Sequence, residues 1–131
     1  MRYDVFKKDL EAYRGLKFEL NDLHTRKSIL VYELEGVKGV RFDKVTGTAN
    51  EHEIERRKLD LVEMINEVEN SISYTQRRID RIERNIASLP EECQLICRMN
   101  AKGISFDRIG RKIGYTGTGV LKKLKAEVEK I

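Results

Sequence analysis

Apolar side chains recur along this chain at the intervals of a helix, and in one stretch with unusual regularity. From Ile54 the sequence places Ile54, Leu61, Ile65, Val68, Ile72, Ile79, Ile82, Ile86 and Leu89 on one stripe, in alternating steps of four and three. Lys58 and Thr75 are the two polar residues on that stripe. A sustained seven-residue repeat is the pattern of a coiled-coil seam, and the helix it predicts is on the order of 50 Å long. A second stripe precedes it between Val5 and Glu35: Phe6, Leu10, Tyr13, Leu16, Leu20, Leu23, Leu30 and Leu34, with Lys27 as a filler in the same register. Two long helices of this kind pair as an antiparallel hairpin within one chain, between chains, or both in a four-helix bundle. The stripe Leu61, Ile65, Val68, Ile72, Thr75, Ile79, Ile82 and Ile86 is therefore the candidate surface for self-association as a dimer or higher homo-oligomer. A polar residue within such a seam sets register, the role expected of Thr75.

Between the stripes, "GVKGVRFDKVTGTAN" (36–50) breaks the helical period with three glycines and several β-branched residues. It predicts a connector. Asn50, three residues before Glu53, fits the cap of the second helix. After Ala87 the pattern changes scale. Ser88 is a candidate cap, with Pro90 in a first turn and Glu91 completing a capping box. A short helix follows to about Asn100 with Cys93, Ile96 and Cys97 on one face. Ser105 caps another through about Ile113, with Ile109 and Ile113 inward, and Gly114 suits a left-handed stop. Thr116 caps a last helix with Val120, Leu124, Val128 and Ile131 on one stripe. The expected fold is all-α: a long helical hairpin or coiled coil over 1–87, then a helix-turn-helix domain over 88–131.

Composition supports extended, solvated helices. The chain is 37% charged and 7% aromatic, with one proline in 131 residues. No apolar run is long enough for a membrane span. The opening "MRYDVFKKDL" has no apolar core of a signal peptide, so the expected location is the cytoplasm. The net charge of +4 is unevenly placed: residues 100–131 hold eight Lys/Arg against three Asp/Glu, while the remainder is nearly neutral. A basic end on a neutral stem points to a polyanion partner.

In a helix-turn-helix the second helix of the motif enters the major groove of double-stranded DNA and reads bases from its first residues. Those residues are Thr116, Gly117, Thr118 and Gly119, followed by Lys122 and Lys123; Ser105, Arg108, Arg111 and Lys112 on the preceding helix complete the candidate DNA-binding set. Threonine hydroxyls and methyls contact phosphates, bases or thymine methyls, and the cations lie along the backbone. "GYTGTG" resembles a phosphate loop, but no strand precedes it and no "GKS" or "GKT" occurs. Cys93 and Cys97 share a helix face, and the two histidines, His24 and His52, are remote in sequence, so no metal set is expected. No nucleophile–base pair or paired carboxylates suggest catalysis, and no cofactor is called for.

The leucine-rich first helix, the connector "KGVRFDKVTG", the junction "RRIDRIERNIASLPEE" and the terminal "GISFDRIGRKIGYTGTGVLKKL" together resemble phage and prophage late-gene transcriptional regulators of the ArpU and RinA type. The last segment is similar to region four of sigma factors. The resemblance implies a small regulator that binds promoter DNA through its C-terminal domain, with RNA polymerase as a further candidate partner. It assigns support to the helix after Ser105 and groove reading to the helix after Thr116. Relatives usually carry bulky polar or basic side chains where this chain has Gly117 and Gly119. Two other readings use the same residues: a coiled-coil protein-interaction module, and a small terminase-like DNA-packaging subunit.

Overall fold

The computed structural model describes residues 1–38 and 48–131, and these form five helices: α1 (Tyr3–Lys38), α2 (Thr48–Ala87), α3 (Glu91–Ala101), α4 (Phe106–Ile113) and α5 (Gly117–Glu129). The all-α expectation holds, with a long first helix pairing with a second. Helix α1 runs through Gly36 to Lys38, and α2 begins at Thr48, so Asn50 lies inside α2 instead of capping it. Extending an established helix by a residue such as Ala49 costs little, which moves the start upstream. The rest of the expected connector, 39–47, lies outside the described residues.

The chain divides into two compact units: Glu19–Gln76, and Met1–Phe18 together with Arg77–Ile131. In the first of these, Leu23, Leu30 and Leu34 of α1 form one buried cluster with Leu61, Ile65 and Val68 of α2, and Val37 and Ile72 pack against it. The heptad stripe thus has its cover within a single chain. Lys27, the polar filler on α1, pairs with Glu69 at 3.2 Å, and Arg57 pairs with Glu33 at 2.7 Å. The partner's number falls as the first rises, the mark of an antiparallel pair. Thr75 is only 2% exposed, so a polar side chain occupies the buried stripe where a register-setting residue was expected.

The other unit buries Phe6, Leu10, Tyr13 and Leu16 from the start of α1 and Ile79, Ile82 and Ile86 from the end of α2. Tyr13 donates to Glu83 at 2.6 Å, and Arg81 pairs with Asp9 at 3.5 Å. Burial, then that hydrogen bond, pushes the Tyr13 hydroxyl above its ordinary 10.0. The same unit holds the three short helices, whose buried face comprises Cys93, Ile96, Cys97, Ile109, Val120, Leu124 and Val128, with Leu89 buried in the link just before α3. Ile131, expected on that stripe, follows the end of α5 and is 39% exposed.

Ser88 does not cap α3. Its hydroxyl donates to the Arg84 carbonyl at 3.0 Å, and Pro90 takes the cap position without a side-chain hydrogen bond. The open carbonyls at the end of α2 are the nearer acceptors, and a serine hydroxyl there satisfies one locally. Gln94 adds a second tie from α3, donating to the carbonyls of Leu89 at 2.8 Å and Ala87 at 3.2 Å.

Two expectations test this packing. Ile82 is 1% exposed, so Ile82→Ala lowers the unfolding free energy in urea by about 2–5 kcal/mol, whereas exposed Ile29→Ala changes it by about 0.5 kcal/mol or less. Burial pushes the Cys97 thiol up from 9.0 to about 12. The native chain therefore keeps a proton that the unfolded chain loses, and stability falls as pH rises from 9.0 toward about 12. The slope from this one thiol is at most about 1.4 kcal/mol per pH unit. Urea midpoints measured across the alkaline range should show a shallower decline in Cys97→Ala than in the parent chain.

Candidate nucleic-acid interface

Helices α4 and α5 are built from local signals that the sequence carries openly. Ser105 caps α4, its hydroxyl accepting from the Arg108 N–H at 3.3 Å. Gly114 ends it in the left-handed region with φ of 86°, where a glycine avoids a side-chain clash. Thr116 caps α5, accepting from the Gly119 N–H at 3.0 Å. The turn between the helices is therefore three residues, Gly114 to Thr116, with a cap at each end, as expected of a helix-turn-helix.

The turn closes on Gly110, a residue the sequence reading did not single out. Its carbonyl accepts from the N–H groups of both Gly114 and Tyr115, each at 2.8 Å. A Cβ at Gly110 would collide with the Tyr115 carbonyl oxygen and stand 3.1 Å from the Thr116 carbonyl carbon. Only a glycine lets the backbone entering α5 lie directly on α4. Gly117 serves the same approach from the other side. A Cβ there would collide with the Asp107 carboxylate and lie 3.3 Å from the Asp107 Cα. Asp107 thus lies over the first turn of α5, where the helix dipole favours a negative charge.

These contacts sort the candidate DNA-binding residues. Arg108, Arg111 and Lys112 are exposed, and their spacing puts them on one face of α4. Thr118 and Lys122 are exposed on α5, and Lys125, which the sequence reading omitted, continues their face. No ion pair among the described residues engages any of these five cations. Ser105 and Thr116 use their hydroxyls as caps, and Gly117 is a packing residue. A Cβ at Gly119 would stand 3.1 Å from Thr116 Oγ1 and 3.8 Å from the Tyr115 ring, so this position faces the turn.

Lys123 stands apart from the other cations. Its ammonium donates to Glu92 on α3 and, at 3.3 Å, to the hydroxyl of Tyr115, whose ring centroid is 5.1 Å away. The hydrogen bond to Glu92, first, and that to Tyr115 hold its ammonium above its ordinary 10.5. A spacing argument groups Lys123 with Lys122 because they are adjacent, but one helical step turns the side chain by about 100°.

The hypothesised self-association stripe Leu61, Ile65, Val68, Ile72, Thr75, Ile79, Ile82 and Ile86 is buried or half-buried within the chain itself. Elsewhere a cavity of about 250 Å³ is lined by Tyr13, Glu83, Ile86, Ala87, Cys97, Arg98 and Ala101. Its thiol is buried and shifted toward the protonated, unreactive form.

Two glycines separate the steric role from helix propensity. Propensity alone favours Gly→Ala in a helix by up to about 1 kcal/mol, and overpacking costs about 1–3 kcal/mol. Gly15 in α1 has open space around its Cβ position, so Gly15→Ala should raise the thermal midpoint; Gly110→Ala should lower it. A rise for both would remove the close-approach role given to Gly110.

Compared with known protein families, with curated proteins and with solved structures, the chain matches none.

Proposed function

We propose that this protein is a transcriptional regulator that binds double-stranded DNA through α4 and α5. The reading is supported by one observation above the others: two capped helices joined by a glycine-closed turn, with Arg108, Arg111, Lys112, Lys122 and Lys125 exposed upon them. On this reading α5 enters the major groove. Thr118 faces the base edges and Arg108, Arg111, Lys112, Lys122 and Lys125 neutralise phosphates. Because most contacts go to the backbone, affinity is strong at low salt and sequence preference is modest. The resemblance to phage and prophage late-gene regulators supports the same assignment and adds promoter DNA as the target. The α1–α2 hairpin serves as the stem that carries the head.

The test is fluorescence-anisotropy titration of duplex DNA against salt concentration. Five phosphate contacts correspond to a slope of about −4.5 in log affinity against log salt, and each lost contact reduces it by about 0.9. Lys122→Ala and Arg111→Ala should each lower both affinity and slope by that step. A chain that fails to bind duplex DNA at low salt rules out the reading.

A further inference from the structure

Tyr115 is an exposed aromatic residue held at two separate points. Its N–H donates to the Gly110 carbonyl at 2.8 Å, which fixes the backbone. Its ring lies 5.1 Å from the Lys123 ammonium, and its hydroxyl oxygen accepts from that ammonium at 3.3 Å. Lys123 is itself held by Glu92 of α3. The chain from Glu92 through Lys123 to Tyr115 therefore links α3, α5 and the turn between α4 and α5.

Three features of this arrangement go beyond packing. Tyr115 is 42% exposed although both its backbone and its ring are fixed. An exposed side chain ordinarily samples several rotamers, and fixing it in advance removes that ordering cost from any later binding step. The lysine occupies the oxygen lone pair of the phenol and leaves the O–H proton available to donate. The residue also directly precedes Thr116, the cap of the helix proposed to enter the groove. A neutral donor at that place suits a phosphate oxygen flanking the groove.

We infer that Tyr115 is a DNA-contacting residue, its hydroxyl donating to a backbone phosphate, and that Lys123 is the positioning residue that holds it there. This rests on the DNA-binding reading above. It removes Lys123 from the set of phosphate contacts and adds a residue that the sequence reading left out. The distinction is measurable, because a cation on a phosphate releases counterions and a phenol does not.

The experiment uses the full chain and a fluorescent duplex, with affinity measured over a range of salt. Tyr115→Phe removes one oxygen and should weaken binding by about three- to tenfold, the worth of one hydrogen bond, with an unchanged salt slope. Lys123→Met keeps the apolar stem and should weaken binding to a similar extent, again with an unchanged slope. The double variant should bind no more weakly than the weaker single variant, because both act through one contact. Lys122→Ala serves as the contrast, with its reduced slope.

A slope reduced by about 0.9 in Lys123→Met would overturn the inference by making Lys123 a phosphate contact. Losses that multiply in the double variant would also overturn it, as would undiminished affinity in Tyr115→Phe. Circular-dichroism melts identify a head that has lost its fold; if Lys123→Met does so, Tyr115→Phe alone decides. Failure of the parent chain to bind duplex DNA is a different result, and it overturns the reading beneath.

Discussion

Each helix of this protein has one apolar stripe to bury, and that scarcity governs the structure. With 37% of residues charged, no helix is apolar all round, so a stripe left uncovered has no second face to compensate. Every element is stable only where its stripe meets another. In the Glu19–Gln76 unit the leucines of α1 meet Leu61, Ile65 and Val68 of α2. In the other unit the ends of the same two helices contribute their stripes alongside those of α3, α4 and α5. Charged residues line the flanks as exposed pairs such as Glu33–Arg57, which add little to stability individually.

Within the head, a second constraint acts on the backbone. Short helices bury little area, so α4 and α5 gain by approaching closely, and side chains at the crossing would hold them apart. Gly110 and Gly117 remove that obstacle from both sides. The apparent weakness of a glycine-rich start to α5 is thus a packing solution. Base-reading side chains are absent from Gly117 because the position is occupied by Asp107 and the neighbouring helix, and the proposed reading face narrows to Thr118.

The same compactness redistributes charge. A basic segment is not a uniform basic surface once it folds. Lys123 turns inward to Glu92 and Tyr115, while Lys122 and Lys125 remain outside. Under the proposed function, adjacent lysines in sequence then hold different offices: one meets the polyanion and the other arranges the residue that does.

The sequence by itself determined the helices and much of their punctuation. Heptad spacing marked both long helices because a period of 3.5 residues leaves a recognisable stripe. Ser105, Gly114 and Thr116 marked the boundaries of α4 and α5 because caps act over three or four residues. Signals that depend on distance in space were hidden. Whether the α2 stripe was covered by its own chain or another was decided by the fold, since both solutions bury the same residues. Ser88 was misread as a cap because the competing acceptor belonged to the preceding helix. Gly110, Tyr115 and the inward turn of Lys123 had no signature in spacing. Each takes its role from a partner that only tertiary structure brings near: the backbone of the next helix for Gly110, and Glu92, thirty-one positions away, for Lys123.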